Sequence, residues 1–424
     1  MIRAITPVAT LLFGVAILLT GQGLQGILIP VRASLEAFST VAVGLIGAAY
    51  FLGFTAGCWK GSHFIRRVGH VRVFAAMTAA ASAVPLLLGL WINPWSWAIL
   101  RFLTGFCFAV LYVVIESWLN EQSSNQNRGK IFSVYILINM TVLAVGQQML
   151  LLEDPMQLHL FALASALVSL AAVPVALSTS QTPRPIKDTR LDFRRAFAIS
   201  PSGMLGSLAS GLANGAFWAL APVFVAGVSG DLSLTAWFMT AGVLGGAAGQ
   251  FPLGWLSDHT DRRFVLVGIS IAGLAIGVLI WLLAPAHGNA AMLAMGFAWG
   301  AVAFPVYSIS VAHANDRADQ NDYVMLSSAL LLMYGMGAVV GPFLASAVMT
   351  QLGGSALYAF TALIHLGFVL YLLGISLRRR RAALDEEQVG FSASLTSALT
   401  TSHVYEDKMA AREDDEAREF DASG

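Results

Sequence analysis

Long stretches without a charged residue are the feature that most limits how this 424-residue chain can fold. A helix needs about 20 apolar residues to cross the hydrocarbon core of a bilayer. The uncharged stretches long enough for one crossing are 4–31, 37–59, 73–100, 131–152, 155–183, 196–230 and 232–257. Two longer stretches, 264–315 and 323–377, each provide two crossings, because turn-forming residues interrupt both. One more span contains Arg101 and Glu116.

The sequence therefore predicts an all-α membrane protein with twelve transmembrane helices. The predicted spans are 7–31, 40–59, 73–92, 95–118, 131–152, 158–177, 203–227, 234–255, 264–284, 291–313, 323–350 and 356–377. Composition agrees, since 57% of the residues are hydrophobic and 11% are charged, whereas soluble domains carry roughly 25% charged residues. The formal net charge of +0 excludes a nucleic-acid-binding protein, which needs a basic excess to neutralise phosphates.

The basic residues lie in alternate loops, and the positive-inside rule converts this pattern into an orientation. With both termini in the cytoplasm, Arg32 is the only basic residue of an outer loop. The basic residues then placed inside, besides those of the tail, are Arg3, Lys60, Arg66, Arg67, Arg72, Arg128, Lys130, Arg184, Lys187, Arg190, Arg194, Arg195, Arg262, Arg263 and Arg317. We therefore expect a multi-pass protein of the plasma (inner) membrane with both termini in the cytoplasm.

A polar segment divides the chain into two halves of six helices each. We predict an N-terminal bundle at 1–177, a cytoplasmic linker at 178–200, a C-terminal bundle at 201–377 and a cytoplasmic tail at 378–424. Dense charge and low hydrophobicity predict that the end of the tail is disordered or forms one short helix. Two six-helix halves joined by a cytoplasmic linker are typical of secondary transporters that rock around a site at the bilayer midplane.

The two halves also resemble each other in sequence. A shift of 192 positions places Pro30 on Pro222, Gly53 on Gly245 and Gly57 on Gly249. This match indicates a duplicated unit and two pseudo-symmetric bundles. A chance alignment of Gly and Pro in a Gly-rich chain is the alternative explanation.

The loop after the eighth predicted helix carries a recognisable motif. It reads Gly254-Trp-Leu-Ser-Asp258-His-Thr-Asp-Arg262-Arg263. It resembles the signature loop of the major facilitator superfamily, Gly-x-x-x-Asp-Arg-x-Gly-Arg-Arg, although His259 and Asp261 depart from that pattern. The resemblance implies that Gly254, Asp258, Arg262 and Arg263 latch a gate at the cytoplasmic end. Simple positive-inside charge is the alternative explanation.

The corresponding loop of the first half is more divergent. Arg66 occupies the aspartate position and is followed by Gly69 and Arg72. A basic group cannot form the same salt bridge, so a latch in this half needs an acidic partner. Glu116 or Glu121, at the inner end of the fourth helix, is the candidate.

The fourth helix places an arginine inside the membrane. Arg101 precedes Gly105 by four residues, which resembles an Arg-x-x-x-Gly motif of the same superfamily at this position. A membrane-embedded arginine costs at least ~2.5–3.5 kcal/mol unless it faces a cavity or a partner. At about 100° per residue, Tyr112 and Glu116 share its face of the helix. We predict that Arg101 and Tyr112 belong to a substrate-anion or proton-coupling site, with a snorkelling or interhelical structural arginine as the alternative.

Three short segments are similar to the YcaD-like branch of the superfamily. They are Arg67–Arg72, Glu116–Glu121 and Arg128–Lys130, and the resemblance spans about residues 5–377. It implies the twelve-helix fold of that superfamily but no particular substrate. The Gly-Pro-rich antiporter pattern of the fifth helix is absent, which weakens drug–proton antiport.

Neutral polar and aromatic side chains in four helices complete the predicted site. They are Gln22 and Gln25 in the first helix, Asn139 and Gln147 in the fifth, Asn214 and Trp218 in the seventh, and Tyr307 and Ser310 in the tenth. Hydrogen bonding between helices is the alternative role for any one of them. With Arg101, they predict a site for a small polar or weakly anionic organic molecule, contacted by the first, fourth, seventh and tenth helices.

These features predict a monomeric secondary active transporter that works by alternating access and is coupled to protons. The sequence has no Gly-rich Lys-Ser/Thr loop for ATP, so the driving energy must come from a gradient. It has no catalytic cluster, metal-ligand spacing or cofactor motif, so we expect no enzyme activity, no metal and no cofactor. A uniporter, a drug or metabolite efflux pump of the same fold, and a non-transporting membrane sensor or scaffold are the alternatives.

Overall fold

The computed structural model describes residues 9–123, 128–177, 192–284, 288–319 and 322–379, and within them the chain is helical without a β-strand. Twelve helices in this part are long and apolar enough to cross a membrane, which confirms the predicted all-α, twelve-span fold. We number them α1 to α12: Ala9–Leu35, Thr40–Val68, His70–Leu90, Pro94–Glu121, Gly129–Leu152, His159–Ala176, Pro201–Ser229, Leu232–His259, Arg262–Leu283, Asn289–Asn315, Tyr323–Leu352 and Ala356–Ile375. Arg3, linker residues 178–191 and tail residues 380–424 lie outside the described residues.

The helices extend beyond the uncharged stretches that predicted them. α2 continues past the predicted end at residue 59 to Val68, and α1 continues through Arg32 to Leu35. A charged side chain near a helix end can reach the headgroup layer while its backbone stays helical. Gaps between charges therefore mark the hydrocarbon core rather than the ends of the helices.

Two spans are interrupted next to a proline. α10 breaks at Phe304, directly before Pro305, and α6 breaks at Ala171, three residues before Pro174. Proline has no N–H to donate, and its ring collides with the carbonyl group four residues earlier in a helix. A proline therefore lies at or near each break, although Pro30, Pro222 and Pro342 lie within continuous helices.

The two halves repeat one packing scheme. In the first half α2 packs on α4, α1 on α5 and α3 on α6, and in the second half α8 packs on α10, α7 on α11 and α9 on α12. A β-carbon on Gly53 would overlap the carbonyl oxygen of Phe102, and one on Gly245 would overlap the carbonyl oxygen of Phe297. Gly245 is the residue that the 192-residue shift matches to Gly53. The shift therefore corresponds to a repeated helix crossing and not to a chance match of glycines.

Contacts between the halves run along α2 with α7 and α11, and along α5 with α8. Following the predicted orientation, we call the end with loops 36–39 and 91–93 the outer end and the opposite end the inner end. The short helix Phe193–Ile199 lies at the inner end, where Arg195 Nη2 is 2.8 Å from Asp322 Oδ2, just before α11. The last part of the predicted linker is therefore bound to the second half.

Candidate functional site

A central cavity lies between the two halves. Its empty volume is about 1350 Å³, including the open space at its mouth, and its walls come from α1, α2, α4 and α5 of the first half and α7 and α11 of the second. The predicted substrate or coupling residues that line it are Gln22, Gln25, Arg101, Tyr112, Gln147 and Trp218. The structure thus brings together six of the ten residues that the sequence singled out.

A glutamine joins two tyrosines in the first-half wall. The Gln22 Nε2 amide donates to the Tyr50 hydroxyl oxygen at 3.0 Å, and the Tyr112 hydroxyl donates to Gln22 Oε1 at 2.8 Å. This bridge connects α1, α2 and α4 and fixes the orientation of all three side chains. Because the Tyr50 oxygen accepts a hydrogen bond here, its own O–H remains available as a donor.

Arg101 faces the cavity and lies over the ring of Tyr50. The guanidinium carbon is 4.2 Å from the ring centroid, a cation–π contact. Arg101 Nε is buried and has no hydrogen-bond partner among the described residues. Within the same residues, no carboxylate lies within ion-pair distance of Arg101. This arginine therefore presents a positive charge to the cavity without the acidic partner that a structural interhelical arginine would have.

Gly105 explains how Arg101 reaches this position. A β-carbon on Gly105 would overlap the carbonyl oxygen of Tyr50, so the glycine lets α4 approach the α2 backbone at this point. Arg101 lies one helical turn earlier on the same face of α4. The four-residue spacing of the Arg-x-x-x-Gly motif therefore places the guanidinium over the Tyr50 ring.

Gln25 is the second polar group of the cavity without a protein partner. Its side chain is 1% exposed, and neither Nε2 nor Oε1 has a hydrogen-bond partner among the described residues. A buried polar group left unpaired costs about 1–3 kcal/mol. Such a group is expected to bond to water or to a ligand, and Gln25 lines the cavity where either would lie.

Gln147 links the cavity to the outer end of the bundle. The Thr240 hydroxyl donates to Gln147 Oε1 at 3.2 Å, and the Gln148 Nε2 amide donates to the Thr240 oxygen at 2.7 Å. These bonds join α5 of the first half to α8 of the second. Gln147 therefore contacts both the cavity and an interface between the halves.

Four predicted residues do not line the cavity. Asn139 is buried within α5, and the Asn214 amide donates to the Ser210 hydroxyl of its own helix at 3.0 Å. The ring of Tyr307 packs edge-on against Tyr334, with 4.9 Å between the centroids. Ser310 packs against Gly206, where a β-carbon would overlap its hydroxyl oxygen.

The cavity described here gives no support to the prediction that the tenth helix contacts the solute, which stays a prediction. α10 contributes no residue to the described lining, and α11 contributes Leu331, Leu332, Tyr334 and Gly335 instead. The close approach of Ser310 to Gly206 places that part of α10 against the backbone of α7. Which helix faces a cavity depends on such crossings.

Sequence reasoning missed several aromatic residues of the lining. Tyr50, Phe54 and Tyr334 belong to the cavity wall, and Phe54 packs between Tyr50 and Tyr112, with centroid distances of 6.2 Å and 6.0 Å. The available signal was the run Tyr50-Phe51-Leu-Gly-Phe54, which combines aromatic residues with the glycine of the helix crossing.

The inner end of the second half contains a buried arginine with partners in α8 and just after α10. Arg262 is 1% exposed, its Nη1 is 3.0 Å from Asp258 Oδ1 and 2.6 Å from the Ser257 hydroxyl, and its Nε is 2.7 Å from Asp316 Oδ2. The network joins α8, α9 and the end of α10. Asp316, the first residue after α10, was not among the predicted gate residues.

The other residues of this loop have simpler roles. Gly254 is buried within α8. Asp261, at a position where the superfamily pattern has glycine, caps α9 by accepting a hydrogen bond from the Arg263 N–H at 2.9 Å. His259 packs on Trp255, with 4.5 Å between the ring centroids. The departure at Asp261 therefore provides a helix cap.

The first-half loop uses different side chains. Gly69 separates α2 from α3 with a φ of 86°, a conformation that favours glycine. Arg66 is half-buried, Arg72 is exposed, and Glu116 is buried in α4. At the start of α3, His70 Nε2 lies 2.8 Å from the Ser117 hydroxyl of α4. This hydrogen bond, which the sequence did not predict, connects α3 and α4 at the inner end.

Comparison with known families gives a match along nearly the whole described chain. The family model described as Major Facilitator Superfamily matches residues 11–199 and 203–409. An uncharacterized MFS-type transporter, YcaD, of Escherichia fergusonii is 27% identical over 369 residues, which cover 87% of this chain and 95% of that protein. An MFS-type transporter of Enterobacter sp. (strain 638) is 28% identical over 373 residues, with the same coverage.

Solved structures with a similar fold have much lower sequence identity. A crystal structure of the nucleoside transporter NupG has a TM-score of 0.74 and 11% identity, and the match covers 87% of this chain and 98% of that one. A bacterial homolog of the human lysosomal transporter Spinster, in an inward-facing and unoccupied conformation, has a TM-score of 0.65 and 15% identity, with 88% and 94% covered. At these identities the similarity concerns the fold alone.

Proposed function

Because the chain belongs to the major facilitator superfamily, we propose that it is a secondary active transporter of a small polar or weakly anionic organic solute. In this proposal it works by alternating access as a monomer in the inner membrane, with both termini in the cytoplasm. Protons are the coupling ion, and no catalytic step, metal or cofactor takes part. The observation that carries the proposal is the charge of Arg101, which faces a cavity between the two halves without an acidic partner in the described chain.

Close packing at the outer end supports the alternating-access mechanism. A β-carbon on Gly44 would overlap the Ser346 hydroxyl of α11, and one on Gly47 would overlap the Ala219 side chain of α7. With the α5–α8 hydrogen bonds, these contacts hold the halves together at the outer end in this conformation. A rocking motion that separates α2 from α7 and α11 would open the cavity to the outside.

A buried acid near the cavity supports proton coupling. Glu116 lies in α4, 1% exposed, one helical turn after Tyr112 of the cavity wall. A carboxylate in this position can bind and release a proton as its surroundings change between conformations. Uniport is the competing mechanism, and it is favoured by the lining itself, in which the described residues include no Asp or Glu.

Flux measurements in proteoliposomes test the proposal. We expect solute uptake that increases when a pH gradient is imposed and collapses when a protonophore removes that gradient. Uptake that does not depend on the pH gradient would favour uniport. Net movement of solute out of the compartment that corresponds to the cytoplasm would favour an efflux pump. Binding of solute without any flux would support the sensor or scaffold and contradict the proposed transport. Because NupG is named a nucleoside transporter, uridine is included among the neutral solutes that the flux assay tests.

A further inference from the structure

The wall of the central cavity carries a single charged side chain among the described residues. In the described part of the chain, Arg101 is the only charged side chain that lines the cavity. A cation in a low-dielectric site without a counter-ion favours binding of an anion, because the anion removes an unpaired buried charge. One arginine balances one negative charge. A ligand with two or more charges would bring an excess that this wall does not compensate.

Two other side chains of the cavity wall offer hydrogen-bond donors that have no acceptor among the described residues. The Tyr50 oxygen accepts from Gln22, and its own O–H has no acceptor among the described residues. Gln25 follows Gln22 by three residues on α1, so both lie on one face, and the Gln25 amide is unpaired within the described chain. The guanidinium lies over the Tyr50 ring, which leaves N–H groups at its edge free to bind a planar anion with two oxygens. A carboxylate fits this set of donors.

Much of the remaining wall is apolar, and it is rich in aromatic rings. Besides Tyr50, the lining includes Phe54, Phe108, Trp218 and Tyr334, distributed over both halves. Trp218 is held by stacking on Phe304, with an interplanar angle of 6° and 5.7 Å between centroids. Aromatic rings favour offset or edge-to-face contacts with other rings. The wall therefore suits a flat aromatic body attached to the anionic group.

We infer that the solute is an aromatic monocarboxylate, with its carboxylate on Arg101, Tyr50 and Gln25 and its ring between the aromatic side chains of the two halves. This inference rests on the proposed function, since it names the solute class of the same cavity. It adds a fixed charge, a planar acceptor group and an aromatic body to the broader description of a small polar or weakly anionic molecule.

The test is equilibrium binding to the purified full-length chain in detergent, measured by calorimetry with five probes. Benzoate and 2-naphthoate should bind, and benzamide, which has nearly the same shape without the charge, should bind at least about 30-fold more weakly. Benzylamine, which reverses the charge, should give no binding. Cyclohexanecarboxylate, which keeps the charge but loses the aromatic ring, should bind several-fold more weakly than benzoate.

Variants locate the binding in the cavity. Arg101→Gln should weaken benzoate binding by at least about 30-fold, and Arg101→Lys should give an intermediate loss, because lysine keeps the charge without the forked donors. Lys60→Gln is the matched control: Lys60 Nζ lies 4.5 Å from the Trp59 ring centroid, but the residue is exposed and does not line the cavity. Benzoate affinity should not change in this variant. Because the benzoate and benzamide comparison uses the unmodified chain, the test does not depend on the folding of any variant.

Equal affinity for benzoate and benzamide, a preference for benzylamine, or absence of binding by all the aromatic acids would overturn the inference. The binding results test the solute class, and the flux measurements test transport independently. If benzoate binds with the expected selectivity but proteoliposomes move no solute, the solute class stands and the proposed transport fails. If proteoliposomes transport uridine or another neutral solute while benzoate does not bind, transport stands and the solute class fails.

Discussion

His70 occupies in the first half the position that Arg262 occupies in the second, 192 residues later. Arg262 forms ion pairs with acidic groups that include Asp258, whereas His70 bonds the Ser117 hydroxyl. The change at this position accompanies another, because Arg66 stands where the second half has Asp258. An arginine at position 70 would therefore have the basic Arg66 four residues earlier, where Arg262 has the acidic Asp258. The inner-end contact is therefore an ion pair in the second half and a neutral hydrogen bond in the first half.

This relationship predicts that the two first-half positions are coupled. His70→Arg alone should lower the melting temperature of the purified protein, because it buries a cation in a half that has Arg66, and not an acid, four residues earlier. Adding Arg66→Asp should recover most of the loss by restoring the charge pattern of the second half. Thermal unfolding in detergent of both single variants and the double variant gives the coupling as a double-mutant cycle. Losses that simply add in the double variant would contradict the coupling.

The network around Arg262 predicts unequal effects of removing its members. Arg262→Gln removes the cation whose Nε lies 2.7 Å from Asp316 Oδ2, in a pair whose side chains are 1% and 9% exposed. Breaking a buried pair in this way costs about 3–5 kcal/mol. Asp258→Asn should cost about 1 kcal/mol or less, because the Asp258 side chain is 32% exposed and solvent screens the pair. Thermal unfolding of the two variants side by side measures the difference. Equal losses would mean that the Asp258 pair accounts for the whole effect of Arg262→Gln and that the Asp316 pair adds nothing.

Two helix crossings at glycines predict that substitutions with similar effects on stability have different effects on binding. Gly105→Ala would push the carbonyl oxygen of Tyr50 and so displace Arg101, whereas Gly300→Ala would push the carbonyl oxygen of Gly242 at the equivalent crossing of the second half. Both variants should lower the melting temperature to a similar extent. Only Gly105→Ala should weaken benzoate binding, since Tyr50 and Arg101 line the cavity, whereas neither Gly300 nor Gly242 does. A loss of affinity in both variants would show that the crossing affects binding only through general destabilisation.

The sequence predicted the number of helices well because charge is excluded from the hydrocarbon core, a constraint that acts on each segment separately. It predicted helix ends poorly, because Arg66 and Arg67 can extend their side chains into the headgroup layer while α2 continues to Val68. The same constraint identified Arg101, because a charged residue within an apolar span is an exception to it. The cost of an arginine within an apolar helix is local, so its exceptional position is visible without knowledge of the neighbouring helices.

The rest of the site depends on how the helices pack and rotate. Tyr307 and Tyr334 are both tyrosines in apolar helices of the second half, but only Tyr334 lines the cavity. The approach of Ser310 to Gly206 holds α10 against α7, and nothing in the α10 sequence alone specifies this. The unpaired state of Gln25 is also a property of three-dimensional surroundings. Polar residues could thus be proposed from the sequence, but their division into cavity and interhelical groups required the structure.

Arg101 predicts a functional loss without a loss of stability. Arg101→Ala removes no ion pair, because Arg101 has none within the described residues, and it removes the cost of holding a charge in the membrane. Expression and melting temperature should stay near those of the unmodified protein, while solute flux in proteoliposomes should be abolished. Lys60→Ala, at the exposed cation–π pair with Trp59, should retain flux. Flux equal to that of the unmodified protein would remove Arg101 from the mechanism.

The outer-end packing predicts that Gly44 controls access to the cavity from outside. Gly44→Val would place methyl groups where the Ser346 hydroxyl and the Pro342 carbonyl of α11 now lie, so the outer ends of α2 and α11 should separate. Cys58 lines the cavity, and Cys107, the other cysteine of the chain, is 1% exposed, so Cys58 is a natural reporter. In intact cells, a membrane-impermeant maleimide should label Cys58 faster in Gly44→Val than in the unmodified protein.

The matched control for this experiment is Gly227→Val, because no other group lies within 4 Å of a β-carbon at that position of α7. Its labelling rate should equal that of the unmodified protein, and Cys58→Ala in the Gly44→Val background should abolish labelling. Faster labelling from the outside would mean that α2 and α11 form the barrier between the cavity and the external medium. Labelling that stays slow in Gly44→Val, while its melting temperature falls, would show that this crossing stabilises the fold without closing the outer end.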